Sequence, residues 1–140
     1  MRSIGFTGTR KGMTAYQREA LWRVLAGGER GVFHHGDCVG SDEEAHAIAL
    51  EARWEVVVHP PVLDHARAFC GGRGVTVLPA KPYLERNRDI VDSCSLLVAA
   101  PETDEEKIRS GTWSTVRAAR RIGREVFVLS TSAKERAKHL

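Results

Sequence analysis

Five apolar runs of strand length alternate with segments of helical periodicity along this 140-residue chain. The runs cover residues 4–7, 31–35, 56–59, 96–100 and 126–129, and a minor strand is predicted at 75–78. Strands that alternate with helices usually form a parallel sheet, because each crossover helix returns the chain to the same end of the sheet. The pattern therefore predicts an α/β fold with a largely parallel sheet.

Capping patterns and apolar faces predict four helices. Thr14 with Gln17, and Ser41 with Glu44, have the spacing of capping boxes at the starts of the first two helices. The third helix is predicted to begin near Pro82, and the fourth to cover residues 112–122. A short helix is predicted over residues 63–69. The side chains expected to face inward are Ala20, Leu21, Val24, Leu25, Ala45, Ile48, Ala49, Ala52, Tyr83, Ile90, Val91, Cys94, Val116, Ala119 and Ile122.

Composition is consistent with one domain over residues 1–140, since 42% of the residues are hydrophobic. A net charge of +3 permits contact with phosphates, but the chain lacks the dense Lys/Arg face of a duplex-DNA-binding domain. Cys38, Cys70 and Cys94 form no C-x-x-C pair, so we expect no metal site, no disulfide and a reducing cytoplasm. No apolar run approaches the ~20 residues of a membrane span, and no cofactor is indicated.

The first strand-to-helix turn combines glycines with Thr9 and Arg10. Glycine lets backbone N–H groups approach an anion, and arginine can hold a phosphate with two hydrogen bonds. The turn matches neither G-x-G-x-x-G nor the Walker A motif. Taken alone, a tight turn with solvated charges explains it equally well.

The second turn covers residues 36–42. Asp37, at the end of a strand, is a candidate acceptor for ribose hydroxyls, and Ser41 and Asp42 open the next helix. An N-cap role for Ser41 or Asp42 is the alternative. His46 is more simply read as a surface side chain.

Two later segments complete the predicted pocket. Asn87 is expected on the inward face of the third helix, with Arg88 favoured over Arg86 as the arginine that points into the pocket. Residues 110–115 are small or carry hydroxyls, as suits a helix N-terminus that receives a phosphate. Ser114 and Thr115 could equally bond to the helix backbone, and Trp113 is more often a core side chain than a base-stacking one.

All these turns meet at the carboxyl edge of a parallel sheet, so we predict a pocket there for an anion or nucleotide. Should the pocket be catalytic, Asp37, Asp42 and Glu85 are the candidates for stabilising an oxocarbenium ion or activating water. The predicted ligand-binding residues are Gly8, Thr9, Arg10, Gly36, Asp37, Gly40, Ser41, Asp42, Asn87, Arg88, Ser110, Gly111, Thr112, Ser114 and Thr115.

These motifs resemble the SLOG superfamily, which includes the central domain of the DNA-processing protein DprA (Smf) and the LOG-type cytokinin-activating phosphoribohydrolases. The resemblance is strongest to its small single-domain DUF2493 or YspA-like members. The DprA motifs G-I-D, A-H, A-L, R-N-R-x-I, S-G-S, T-A and G-R-E-V all have counterparts. In this chain they are Gly40-Ser41-Asp42, Ala45-His46, Ala49-Leu50, Arg86-Asn87-Arg88 with Ile90, Ser110-Gly111-Thr112, Thr115 with Ala119, and Gly123-Arg124-Glu125-Val126.

The resemblance implies a three-layer Rossmann-like fold with a mostly parallel sheet of five or more strands, helices on both faces, and a nucleotide-like ligand at the glycine-rich edge. The LOG motif P-G-G-x-G-T-x-x-E carries a catalytic glutamate that is absent from residues 109–116 here. Two functions stay open: a nucleotide-binding protein, as sensor or N-glycoside hydrolase, and a DprA-like binder of single-stranded nucleic acid. We also expect a homo-oligomer. The DprA-like alternative would use Arg10, Lys11, Arg86, Arg88, Arg109 and Trp113.

Overall fold

The structure, a computed structural model, describes residues 2–132. No helix among these residues is long and apolar enough to cross a membrane. A short 3-10 helix, Asp64–Ala66, is all that forms of the helix predicted over residues 63–69. The main elements are the strands β1 (Arg2–Gly8), β2 (Gly31–His35), β3 (Glu55–Val58), β4 (Val75–Val77), β5 (Leu96–Ala100) and β6 (Glu125–Val128), and the helices α1 (Ala15–Ala26), α2 (Ser41–Glu51), α3 (Tyr83–Ser93) and α4 (Gly111–Arg121).

The six strands form one parallel sheet in the order β4-β3-β2-β1-β5-β6. From β1 the chain first builds outward through β2 and β3, and later outward in the opposite direction through β5 and β6. Because crossovers are right-handed, this reversal puts α1 and α2 on one face and α3 and α4 on the other. The predicted three-layer α/β architecture is confirmed, and the order reverses at β1.

Each face of the sheet carries its own apolar core. On one face, Leu21 and Leu25 of α1 and Phe33 of β2 are fully buried between the sheet and its two helices. On the other face, Ile90 of α3 and Leu97 of β5 are buried in the same way. The capping box at the start of α1 is confirmed, with Thr14 Oγ1 accepting from the Gln17 N–H at 3.1 Å. Most predicted inward positions are buried or half-buried.

Two local predictions are wrong. Ser41 and Glu44 form no capping box, because both side chains bond to the turn after β1: Ser41 Oγ donates to Thr9 O at 2.6 Å, and Glu44 Oε1 accepts from the Met13 N–H at 2.6 Å. Ile122 is 56% exposed rather than inward, since α4 ends before it. In the first case tertiary partners replace the local ones that spacing suggests.

Candidate functional site

A cavity of about 660 Å³ opens at the carboxyl ends of β1 and β5. This is where the strand order reverses, and the loops that leave such a point diverge and leave a crevice. The volume lies in the range of small-molecule sites. Ten of the predicted ligand-binding residues line the cavity, namely Gly8, Thr9, Arg10, Gly36, Asp42, Asn87, Ser110, Gly111, Thr112 and Thr115.

Exposed cations surround the mouth of the cavity. Lys107 and Arg109 line it from the loop before α4, and Lys11 lines it from the first turn, where its Nζ pairs with Glu102 at 2.8 Å. Arg10 donates from Nη2 to the Tyr83 hydroxyl at 2.5 Å and lies over the Tyr83 ring. The mouth is therefore positive and suited to an anion.

The N-terminus of α4 faces the same cavity. Ser110 caps the helix by accepting from the Trp113 N–H at 3.2 Å. The N–H groups of Gly111 and Thr112, in the first turn, have no intrahelical acceptor and carry the positive end of the helix dipole. A phosphate at this point would receive both hydrogen bonds and favourable electrostatics.

Arg86 is the arginine that points inward. The prediction that Arg88 is the inward one is therefore wrong. Arg86 is 5% exposed, and its Nη1 donates to Gly36 O and to His59 O. Arg88 is exposed and does not line the cavity. Spacing contains the signal for this, because Arg86 lies four residues before buried Ile90 and thus on the same helix face.

Gly36 makes room for that arginine. A Cβ atom at Gly36 would overlap Arg86 Nη1. The Arg86 Nε donates to Asn87 Oδ1 at 2.7 Å, so the inward amide predicted at position 87 has a protein partner. Gly36 and Asn87 both line the cavity, where they hold Arg86 in place.

Asp37 is not in the cavity, contrary to its predicted role with ribose. It is fully buried; Oδ2 accepts from Arg67 Nε at 2.9 Å and Oδ1 accepts from the Cys70 N–H at 2.8 Å. Its left-handed φ of 60° turns the side chain toward this loop. Asp37 therefore anchors residues 67–70 to the sheet edge.

Four further candidates also lie outside the cavity lining. Gly40 has a φ of 88°, and Ser41 is fully buried against Thr9, so both position the first turn. Ser114 and Glu85 are exposed, and Glu85 Oε1 lies 3.8 Å from Lys81 Nζ. Of the three acids proposed for catalysis, Asp42 alone lines the cavity.

Asp42 is a buried carboxyl group with spare hydrogen-bonding capacity. Oδ2 accepts from the Cys38 N–H at 3.2 Å, whereas Oδ1 is buried and has no partner among residues 2–132. Burial raises the pKa of Asp42 to about 6, against the opposing effect of Arg86. Trp113, buried as the core reading predicted, also lines the cavity and has an indole N–H without a partner in the described part of the chain.

His46 is buried rather than exposed, because it belongs to a chain of hydrogen bonds. The Asp37 N–H lies 3.0 Å from His35 Nδ1, which must accept, so Nε2 of His35 carries the ring proton. His35 Nε2 then donates to His46 Nδ1 at 2.9 Å, and His46 Nε2 donates to Gly71 O at 2.9 Å. Both rings are neutral in this arrangement.

His35, His46 and Cys70 are the group in residues 2–132 whose ligand atoms, all within 4.8 Å of one another, could hold a metal ion. A metal at His35 Nε2 needs the lone pair of that nitrogen, and Nδ1 would then carry the proton. The Asp37 N–H already points at Nδ1, so two donors would face each other. The cluster fits neutral hydrogen bonding better than metal binding.

The buried histidines make the fold sensitive to acid. Burial lowers the pKa of His34 and His35, and it lowers that of His59 to about 4. Their unfolded pKa is near 6.5, so the unfolded chain binds protons first as pH falls. The contribution of these histidines to the free energy of unfolding is therefore present above about pH 6.5 and is lost as the pH falls from there to the folded pKa. His59 Nε2 lies 2.9 Å from His34 Nδ1, so the two rings titrate as a pair. We expect this pair to lower the free energy of unfolding by about 2 kcal/mol between pH 7.5 and 5, measured by urea unfolding.

His59→Gln should therefore reduce the loss of stability between pH 7.5 and 5, and His65→Gln, at an exposed position, should leave it unchanged. The raised pKa of Asp42 acts in the opposite direction, because the folded state takes up that proton first. Both variants keep Asp42, so its effect on stability cancels when their pH dependences are compared. An equal pH slope for His59→Gln and the wild type would contradict this assignment.

Solved structures share this fold. DNA processing protein A (DprA) from Streptococcus pneumoniae matches 91% of the chain with a TM-score of 0.68 and 22% identity, and the chain spans 50% of its length. The molybdenum cofactor binding protein from Rippkaea orientalis matches 99% of the chain with a TM-score of 0.68 and 21% identity, over 82% of its own length.

DprA from Helicobacter pylori matches 91% of the chain with a TM-score of 0.64 and 22% identity, over 64% of its own length. No protein-family model and no curated protein matches the sequence. At this level of identity the structural matches establish the architecture. The chain therefore has the same Rossmann-like α/β fold as these solved structures.

Proposed function

We propose that the protein binds a nucleotide or nucleotide-derived small molecule in the cavity at the carboxyl edge of the sheet. The observation that carries this proposal is the α4 N-terminus, which opens into a cavity of about 660 Å³. Backbone donors and rim cations would hold the phosphate there, and the rest of the cavity has room for the sugar and base. One structural neighbour is a molybdenum cofactor binding protein, which supports a small-molecule ligand.

The same cavity is compatible with a sensor or with an N-glycoside hydrolase. Hydrolysis would need an acid near the scissile bond, and Asp42 is the acid that remains after Asp37 and Glu85 are excluded by position. A pKa of about 6 suits proton transfer near neutral pH. Mass spectrometry of AMP and GMP after incubation with the protein distinguishes the two: release of free base shows an enzyme, and intact nucleotide shows a binding protein.

Gly111→Asp tests the phosphate position. A Cβ at Gly111 meets nothing within 4 Å, so the new side chain fits without strain. A carboxylate in the first turn of α4 should stabilise the helix by a few tenths of a kcal/mol through the dipole. The same charge should repel a phosphate and reduce affinity at least tenfold. Calorimetry with AMP, GMP and ADP-ribose measures the affinity, and thermal unfolding measures the stability.

Ser114→Asp is the matched control, because it places the same charge in the same helical turn but at an exposed position outside the cavity. Its affinity should stay within twofold of the wild type. Equal affinities for Gly111→Asp and the wild type would exclude a phosphate at α4. A loss of similar size in both variants would show a long-range charge effect instead.

A second candidate function is single-stranded nucleic-acid binding. Four exposed cations line the cavity mouth, Arg10, Lys11, Lys107 and Arg109. In addition, the Helicobacter pylori DprA structure is described by its single-stranded DNA binding mode. Salt discriminates the candidates, because strand binding releases counterions and weakens steeply with salt, whereas a mononucleotide makes few phosphate contacts. An oligonucleotide affinity that is insensitive to salt would exclude this candidate.

A further inference from the structure

The floor of the cavity holds a buried acid and a buried base that make no direct hydrogen bond to each other. Asp42 and Arg86 are both buried and line the cavity, yet they form no ion pair within the described residues. Gly36 lies between them, and a Cβ there would lie near both Arg86 Nη1 and Asp42 Oδ2. Buried charged groups normally satisfy each other directly, so this separation needs an explanation.

Each of the two groups keeps hydrogen-bonding capacity that no strong partner among residues 2–132 satisfies. Asp42 Oδ1 is buried without a partner. On Arg86, Nη1 and Nε donate to oxygen atoms, but the contact of Nη2 is Cys38 Sγ at 3.8 Å, a weak acceptor. The floor therefore offers one acceptor, at Asp42, beside one donor, at Arg86.

We infer that this floor receives an uncharged part of the ligand that donates a hydrogen bond to Asp42 Oδ1 and accepts one from Arg86 Nη2. This inference rests on the proposed function, with the phosphate at the rim and the neutral group inside. Adjacent donor and acceptor atoms occur on the vicinal hydroxyls of ribose and on the N–H and C=O of a base lactam. Oδ1 is buried in the structure, so the atoms that cover it must shift when the ligand binds.

The indole N–H of Trp113, which is buried without a partner among residues 2–132, adds a further donor in the lining of the cavity. Together these atoms favour a ligand with a polar, neutral interior end over inorganic phosphate or polyphosphate, whose negative charge the Asp42 carboxylate repels. The polarity of the cavity is thus divided, with donors for an anion at the mouth and a mixed donor and acceptor pair at the floor. Asp42 is the specificity-determining residue in this arrangement.

Asp42→Asn tests the inference, with inorganic phosphate, ribose 5-phosphate, AMP and GMP as probes in calorimetry. The amide keeps the shape, and its oxygen can still accept from the Cys38 N–H, but its NH2 group then takes the place of Oδ1, so a donor replaces the acceptor that the ligand needs. We expect Asp42→Asn to lower the affinity for the probe that reaches the floor at least tenfold and to change the affinity for inorganic phosphate less than twofold. If the affinity for ribose 5-phosphate falls, the ribose hydroxyls are the group that binds at the floor. If only the affinity for GMP falls, the base lactam is that group.

Glu51→Gln, an acid-to-amide change at an exposed position of the same helix, is the control and should bind every probe like the wild type. Unchanged affinity of Asp42→Asn for all four probes, together with sensitivity to Gly111→Asp, would overturn this inference but keep the proposed function. Failure of the wild type to bind any of the probes would overturn both.

A measurement on the wild type covers the case in which Asp42→Asn does not fold. A donor to Asp42 favours its ionised form, so protonation near pH 6 should weaken binding. The affinity for the floor-reaching probe relative to methyl phosphate, a monoester whose phosphate titrates in the same pH range, should fall about fourfold from pH 7.5 to 5.5. A ratio that rises as the pH falls would show that Asp42 donates instead and would overturn the inference.

Discussion

Arg86→Leu is expected to destabilise the protein by about 2–4 kcal/mol, one of the two largest losses we anticipate for a single substitution. The guanidinium bonds to the carbonyl oxygens of Gly36 and His59, which lie in different loops at the carboxyl ends of β2 and β3. Leucine fills part of the space but leaves both carbonyls and Asn87 Oδ1 without this donor. Urea unfolding at pH 7.5 measures the change.

Arg88→Leu provides the control, since it makes the same change two residues later on an exposed part of α3. A surface substitution of this kind should stay within about 0.5 kcal/mol of the wild type. Leucine and arginine have similar helix propensities, so similar losses for the two variants would mean that the buried contacts of Arg86 do not account for the effect. The Arg86 variant should also raise the pKa of Asp42 further, because the positive charge of Arg86 opposes the effect of burial on that carboxyl group.

Gly40→Ala is expected to lower the free energy of unfolding by more than about 3 kcal/mol and to abolish the proposed binding of AMP. A Cβ at position 40 would overlap the backbone carbonyl of Arg10, and the residue has a φ of 88°. Relief requires the turn after β1 to move away from α2, which breaks the two hydrogen bonds from Ser41 to Thr9 O. Thermal unfolding and AMP calorimetry report the two effects.

Gly123→Ala separates crowding from backbone strain. Gly123 has a similar φ of 77°, but a Cβ there would meet nothing within 4 Å. Its cost should be about 1–2 kcal/mol, the usual penalty of an L-residue in the left-handed region, with binding retained. If Gly40→Ala costs no more than Gly123→Ala, the contact between the two turns is not essential.

The layers of the fold could be predicted from sequence because they depend on local patterns. Apolar runs as short as residues 4–7 and 31–35 correspond to strands that are covered on both faces, and such strands carry a strong signal. The capping box of Thr14 was also predictable, since both of its partners lie within four residues. The right-handed crossover rule then placed the strand-to-helix turns at one edge.

The roles of individual site residues depended on contacts that no local pattern contains. Asp37 and Asp42 lie five residues apart in the same strand-to-helix segment, yet one is bound by Arg67 and the Cys70 N–H while the other lines the cavity. Ser41 looked like a cap because its real partner, Thr9, is 32 residues away. Distant partners of this kind decide which polar side chain is left for a ligand.

The position of β1 in the middle of the sheet also constrains how the chain folds. β1 pairs on one side with β2 and on the other with β5, whose residues follow their partners by more than ninety positions, as in the pair Ile4 and Leu96. Contacts so distant in sequence slow folding, because loop-closure entropy is lost before the contact forms. During synthesis one edge of β1 must wait for β5. If residues 2–58 associate stably before that point, the backbone N–H and C=O groups on this edge of β1 stay unpaired and can pair with another chain.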